Sequence, residues 1–198
     1  MIYLKKIILG ILTVLVLTSC SIFEPIKTPQ ITKFNLNLVP KVTKRESHSL
    51  SILVQLPNTV STYDTTQMIY TDRRNQIASY EVNEWANRPA QMLHPLIVET
   101  LENTGYFKAV YTPPHVGIPD LILSTYISKL HINYLHPRKT LVFTVHAQLV
   151  DAKTNQVIEA RRFTVVEPIR KATPENAAFA ANRATEKILH KLSRFNMF

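Results

Sequence analysis

The stretch Thr140-Leu-Val-Phe-Thr-Val-His-Ala-Gln-Leu-Val-Asp151 has the clearest periodicity in the chain. Side chains of a strand point alternately to the two faces of its sheet, so strict alternation is typical of a strand with one buried face. The sequence therefore predicts a domain built around this strand. Its apolar positions are Leu141, Phe143, Val145, Ala147 and Leu149.

Segments on both sides predict further strands. Pro137-Arg138 predicts a turn after a long strand at 120–135. Another strand is expected at 157–167, and within it the apolar residues change from one set of alternate positions to the other. Because a one-residue slip exchanges the two faces of a strand, we expect a bulge at Arg161-Arg162. Arg73-Arg74-Asn75 predicts a hairpin turn. The strands expected upstream lie at 34–38, 50–56, 67–72, 76–80 and 106–112.

An apolar stripe at spacings of three, four and seven residues predicts a helix that begins near Trp85. We expect Asn83 or Asn87 to cap its start and Gly105 to form a left-handed C-terminal cap. Pro95 removes one backbone hydrogen bond, so either the helix kinks there or its first turn is separate. The stripe comprises Trp85, Pro89, Met92, Leu93, Leu96, Ile97, Thr100 and Leu101.

A second helix is predicted at the C-terminal end. Thr173 is the expected N-cap, Pro174 the first helical residue, and Glu175 is favourable near the positive end of the helix. Its expected buried stripe is Ala177, Ala180, Ala181, Ala184, Ile188, Leu192 and Phe195.

The N-terminus has the pattern of an export signal. Lys5 and Lys6 precede an apolar run over 7–17, which is shorter than the roughly 20 residues of a membrane-spanning helix. Small residues before the only cysteine match the bacterial lipobox. We therefore expect residues 1–19 to be a signal peptide and Cys20 to be lipidated.

The predicted mature chain has two parts. Residues 20–30 carry the lipidated cysteine and two prolines and form a tether that reaches at most about 33–36 Å; residues 31–198 form a single domain. Ser21 stands where Asp is typical of retention at the inner membrane. We therefore expect a lipid anchor at the periplasmic face of the outer membrane.

Composition indicates a globular, basic protein. Removal of Lys5 and Lys6 leaves 21 basic and 14 acidic residues, so the formal charge falls from +9 to +7. The charges are scattered, so a merely solvated surface is the simpler interpretation, and anionic lipid headgroups are the alternative. A periplasmic location argues against nucleic acid as a partner.

Few enzyme classes fit the residues. After Gly10 leaves with the signal peptide, only Gly105 and Gly117 remain, so no phosphate-binding or dinucleotide loop is present. No Gly-x-Ser-x-Gly turn occurs, and the mature chain has no free cysteine nucleophile. We therefore expect no catalytic residue and no cofactor.

Three histidines, His131, His136 and His146, lie on or near two strands that we expect to pair. If Pro137-Arg138 is a two-residue loop, His131 faces Thr144 and His146 faces Lys129. Structural zinc needs four converging ligands. Isolated histidines are therefore the preferred interpretation, and no metal site is expected.

Other chemistry-bearing residues also favour structural roles. Glu81 and Glu84 are close in sequence, but nothing indicates that they are buried as an acid–base pair. Trp85 is the only tryptophan and is expected to anchor the core rather than contact a partner. Tyr63, Tyr70, Tyr80 and Tyr106 carry no site assignment.

The segment from Tyr63 to Pro89 resembles the ABC-type transport auxiliary lipoproteins, the PqiC-like proteins. The resemblance rests on Tyr63-Asp-Thr-Thr-Gln-Met-Ile-Tyr70 and on Gln76-Ile-Ala-Ser-Tyr80-Glu-Val-Asn-Glu-Trp85-Ala86. It implies a three-layer α/β domain with a mixed sheet and two main helices. Thr71 stands near a position where relatives often have arginine.

The resemblance also implies a function. Such lipoproteins act as non-enzymatic docking subunits for an MCE-domain protein of an ABC lipid transport system. A homo-oligomer is compatible with this role, although nothing in the sequence sets a subunit count. Two alternatives stay open: a carrier that binds lipid or lipopolysaccharide in its own cavity, and an assembly factor of another envelope machine.

Overall fold

The computed structural model describes residue 3 and residues 29–195, apart from 116 and 136. The unit Ile31–Phe198 is compact. The expected signal peptide except residue 3, Cys20, most of the tether and His136 lie outside the described residues. No helix in the described part of the chain is long and apolar enough to span a membrane.

Nine strands and two long helices make up the described fold. In chain order the strands are β1 Thr32–Phe34, β2 His48–Val54, β3 Asn58–Thr59, β4 Gln67–Thr71, β5 Ala78–Trp85, β6 Phe107–Tyr111, β7 Leu121–Asn133, β8 Thr140–Asp151 and β9 Val157–Pro168. The helices are α1 Pro89–Thr104 and α2 Pro174–Leu192, and a short 3-10 helix spans Ser61–Tyr63.

The sheet is mixed, with β7 at its centre. One edge of β7 pairs antiparallel with β8, which pairs antiparallel with β9. The other edge pairs in turn with β2, β3 and β4, all parallel. β6 extends the sheet beyond β2, while β5 and β1 extend it beyond β4. The hairpin predicted at Arg73-Arg74-Asn75 is confirmed as the β4–β5 connection, where Asn75 adopts a left-handed φ of 60°.

Both helices pack on one face of this sheet. The register places Ile52 beside Leu121, on the same face as Phe143 and Phe163, and one hydrophobic core joins these strands to both helices. The helices also contact each other. The expected α/β class, mixed sheet and two main helices are confirmed.

The first helix begins later than the sequence predicts. Trp85 ends β5 because its backbone N–H donates to Thr66 O at 2.7 Å while β1 pairs on the other side. Arg88 is the N-cap and makes no side-chain capping bond, so neither Asn83 nor Asn87 is the cap. Trp85 is still a core residue, 2% exposed.

Pro95 neither ends nor splits α1, which runs unbroken to Gly105 in the left-handed conformation (φ 64°). The carbonyl that lacks its partner belongs to Gln91, whose side of the helix faces solvent. A carbonyl on the exposed side of a helix is accessible to solvent, so the proline is tolerated there. The expected caps of α2 are confirmed: the Thr173 side chain accepts from Asn176 N, and Pro174 opens the helix.

Two predicted register features are wrong. The β7–β8 connection covers six residues, not two, because pairing ends at Asn133 and Thr140. The irregularity in β9 lies opposite Leu149 and Val150, next to Ile158, and pairing at Arg161-Arg162 is regular. The bulge therefore lies at the start of β9, next to the turn that connects β8 to β9.

The segment after β1 is held by one amide on α2. Asn182 Oδ1 accepts from Asn37 N at 2.9 Å, and its Nδ2 donates to Asn35 O at 2.8 Å. Those backbone groups therefore bond to a side chain instead of a neighbouring strand. This explains why the strand expected over 34–38 ends at Phe34, although Leu36 is buried.

Candidate docking surface

The face of β7, β8 and β9 opposite the helices carries mainly polar side chains. We call it the open face, and its central part is a groove of about 500 Å³. The alternation that buries Phe143 and Val145 on one side points their neighbours to the other. The side chains at this groove are Ser124, Tyr126, His146, Gln148, Ala160 and Arg162, with Asn58 at one side.

Neighbouring side chains fix the polar groups of the open face. The Ser128 hydroxyl lies 3.0 Å from His146 Nε2, and the Tyr126 ring packs edge-on against His146 with centroids 5.9 Å apart. Ser124 Oγ donates to Gln55 Oε1 at 2.5 Å. Tyr126 is nevertheless 39% exposed. The surface thus offers ordered hydrogen-bonding groups, one aromatic ring and the exposed Arg162 guanidinium.

Within the described part of the domain, the contact between Ser128 and His146 lacks the third residue that a catalytic triad of nucleophile, base and orienting group requires. A catalytic histidine needs a third group to orient its second nitrogen. In the described ranges, no carboxylate bonds to His146, and no three His, Asp or Glu side chains converge as metal ligands. The arrangement can hold a partner by hydrogen bonds, but nothing in it activates the serine.

The histidines sit at other register positions than predicted. His131 faces Val142 and His146 faces Tyr126, because the longer β7–β8 connection and a bulge between Ile127 and Lys129 change the pairing. His131 is buried, with Thr71 Oγ1 at 2.9 Å from Nε2 and the Tyr63 hydroxyl at 3.3 Å from Nδ1. This histidine links the 3-10 helix to the sheet.

We predict that His131 makes folding stability depend on pH. Burial, and secondarily the charge of Lys129, lower the pKa of this imidazole below its usual value near 6.5. Just below pH 6.5 the imidazole of His131 is protonated in the unfolded chain but stays neutral in the folded chain. The free energy of unfolding therefore decreases as the pH falls below 6.5. Urea unfolding of wild type and His131→Gln between pH 7.5 and 5.5 tests this: the slope should flatten in the variant, and an unchanged slope would refute the assignment.

The glutamates considered above do not form an acid–base pair. Glu81 is exposed, and Glu84 accepts a long 3.4 Å hydrogen bond from Thr66. Of the tyrosines left without a site assignment, Tyr80 forms a hydrogen-bonded network with Tyr134 and Thr173. Tyr80 donates to the Tyr134 hydroxyl at 2.5 Å, which donates to Thr173 O at 3.2 Å. Burial raises the pKa of the Tyr80 phenol, and the network ties the sheet to the start of α2.

Sequence reasoning did not identify the open face. Its residues lie at alternate positions in three strands that are distant in sequence, and only the pairing register brings them together. The alternation at 140–151 was the available signal, because the polar positions of a one-sided strand must lie on the face away from the core.

Comparison with known proteins identifies the fold and the family. Protein XCC0632 from Xanthomonas campestris is similar with a TM-score of 0.67 and 20% identity, covering 83% of this chain and 90% of that chain. The solved structure of an uncharacterized protein has a TM-score of 0.65 and 15% identity, covering 83% and 97%. No match was found among curated proteins.

At these identities the two structures support the fold alone. The family is shown by sequence: the model of the ABC-type transport auxiliary lipoprotein component matches residues 34–193, nearly the whole described domain. This match includes the Tyr63–Pro89 segment that carries the resemblance. The chain therefore belongs to the family of ABC-type transport auxiliary lipoprotein components.

Proposed function

We propose that this chain is a non-enzymatic docking subunit of an MCE-type ABC lipid transport system, anchored by Cys20 to the periplasmic face of the outer membrane. Family membership supports a transport role in the envelope. Ser21 after the lipidated cysteine supports the outer rather than the inner membrane. The partner would be the MCE-domain protein that spans the periplasm.

The observation that carries the docking role is the open face. No helix of the described ranges covers this ordered face, and no nucleophile described on it is activated. Its hydrogen-bonding groups suit recognition of a protein surface. Among the strands that the structure describes, β9 pairs on one side alone, and Val157 and Val166 are exposed along it. A free edge favours association with another strand, so the proposal includes a homo-oligomer.

A co-purification experiment with matched variants tests the docking role. We expect the MCE-domain protein encoded with the transporter to co-purify with wild type, and the double variant Arg162→Glu/Gln148→Arg to lose at least about tenfold of it, since charge changes inside an interface cost several kcal/mol. Arg74→Glu/Gln76→Arg is the control, with the same substitutions in an exposed turn. If both double variants recover equal amounts of the MCE-domain protein, the open face is not the docking surface. If wild type recovers none of it, the MCE-domain protein is not the partner.

A carrier with its own lipid cavity is the alternative. The residues between sheet and helices are closely packed: Met68, Leu93, Phe143 and Leu189 are completely buried, each with 0% exposure. The grooves lie on the surface instead. Lipid mass spectrometry on the purified Cys20→Ser chain distinguishes the two proposals, because a carrier would retain a stoichiometric lipid. An assembly factor would instead co-purify with components of another envelope machine.

A further inference from the structure

A groove with a basic lining runs between residues 39–45 and residues 186–194. Two adjoining cavities of about 600 and 330 Å³ form it, and His190 lines both. We call it the basic groove. Among the described residues that line it, the charged ones are Lys41, Arg45, Lys187, Lys191 and Arg194, with Glu186 as the one carboxylate, and the apolar ones are Val39, Pro40 and Val42.

The fold fixes both sides of the basic groove. Lys187, His190, Lys191 and Arg194 follow the spacing of one helical face, while Ile188, Leu189 and Leu192 of the same stretch are buried. On the opposite side, Pro40 is buried and Arg45 N donates to Thr104 O at 2.9 Å. The cations are therefore presented by two anchored segments rather than by a loose tail.

The positive charge of the groove is only partly neutralised. Lys187 pairs with the buried Glu167. In the ranges that the structure describes, Lys41, Lys191 and Arg194 form no ion pair, and all three are exposed. Cations near the end of α2 interact favourably with the helix dipole, but that effect does not explain Lys41 on the facing segment.

We propose that the basic groove binds the phosphodiester headgroups of an anionic phospholipid leaflet. Exposed lysine and arginine attract anionic lipids, and the half-buried Val39 and Val42 beside them suit the glycerol and upper acyl region next to the phosphate. A free phosphate ion would contact the basic side chains of the groove but not its apolar side chains. This contact is distinct from the transporter interface and would orient the domain on its membrane.

Vesicle binding by the mature chain carrying Cys20→Ser tests the proposal without the anchor or any transport partner. Flotation with vesicles of equal parts phosphatidylglycerol and phosphatidylcholine should recover the protein, and pure phosphatidylcholine should not. Lys41→Glu/Lys191→Glu should weaken binding at least about twentyfold, since each basic residue near an anionic leaflet contributes on the order of fivefold. Circular dichroism and thermal unfolding verify that the variant is folded.

Arg74→Glu/Arg138→Glu is the matched control, because it changes net charge equally at exposed positions outside the groove. It should keep most of the binding. Equal losses in the two double variants would show diffuse attraction and overturn the proposal. So would wild-type binding to neither vesicle, as expected if the groove receives an acidic protein segment instead. Neither result depends on whether the MCE-domain protein co-purifies.

Discussion

Replacing both Arg183 and Lys187 by methionine is expected to destabilise the domain by about 3 kcal/mol at neutral pH. These side chains are the ion-pair partners of Glu167, which is 3% exposed on β9. Arg183 Nε donates to one carboxylate oxygen at 3.0 Å and Lys187 Nζ to the other at 2.6 Å. Without them a carboxylate stays buried and unpaired. The value lies at the low end for such pairs because both cations are partly exposed.

The contribution of Glu167 to the pH dependence of unfolding free energy should have opposite signs in this variant and in wild type. Burial alone raises the pKa of the Glu167 carboxyl, but the hydrogen bonds from Lys187 and Arg183 lower it overall. In wild type the ion pairs of Glu167 contribute to stability above the unfolded pKa near 4.5, and this contribution is lost as the pH falls below that pKa. In the double variant only burial acts on Glu167, so the contribution of this carboxyl to stability should increase as pH falls from 7 toward 5, opposite in sign to the contribution of His131. Urea unfolding at several pH values measures both.

A third substitution is the control. Adding Glu167→Leu to the double variant removes the unpaired charge and should restore most of the lost stability. A double variant within about 1 kcal/mol of wild type, with no change in the sign of its pH slope, would contradict the role of this cluster.

The strands and helices were largely predictable because their apolar residues follow clear periods. The alternation at 140–151 gave β8 with its buried face, and the stripe from Ala177 to Leu192 gave α2 with its Thr173 cap. Both patterns record burial against one sheet face. Local sequence was sufficient because local preference and tertiary packing agree there.

The misplaced features all depend on pairing between distant segments. Trp85 fits a helical stripe, but backbone bonds to Thr66 and to β1 hold it in a strand. The segment after Phe34 alternates like a strand, but the Asn182 amide takes the backbone bonds of Asn35 and Asn37. The open face and the basic groove also follow from long-range pairings, which one sequence does not specify.

Replacing Cys20 by serine should move the protein almost entirely from the membrane fraction to the soluble periplasm. An anchor with several acyl chains gives about 0.8 kcal/mol per buried methylene and holds stably, whereas the headgroup contacts proposed for the basic groove are reversible. Fractionation of cells followed by quantitative immunoblotting measures the change. Ser21→Asp is the informative companion, because it should keep lipidation and shift the protein to the inner membrane. Retention of Cys20→Ser in the envelope at the wild-type level would contradict the proposed anchor.

Mass spectrometry of the N-terminal peptide, taken from protein purified out of the envelope, tests the proposed anchoring most directly. We predict a chain that begins at residue 20 and carries diacylglycerol on the thiol. A free thiol in that peptide, or a chain that still includes the preceding nineteen residues, would contradict the proposed anchoring of a docking domain at its membrane.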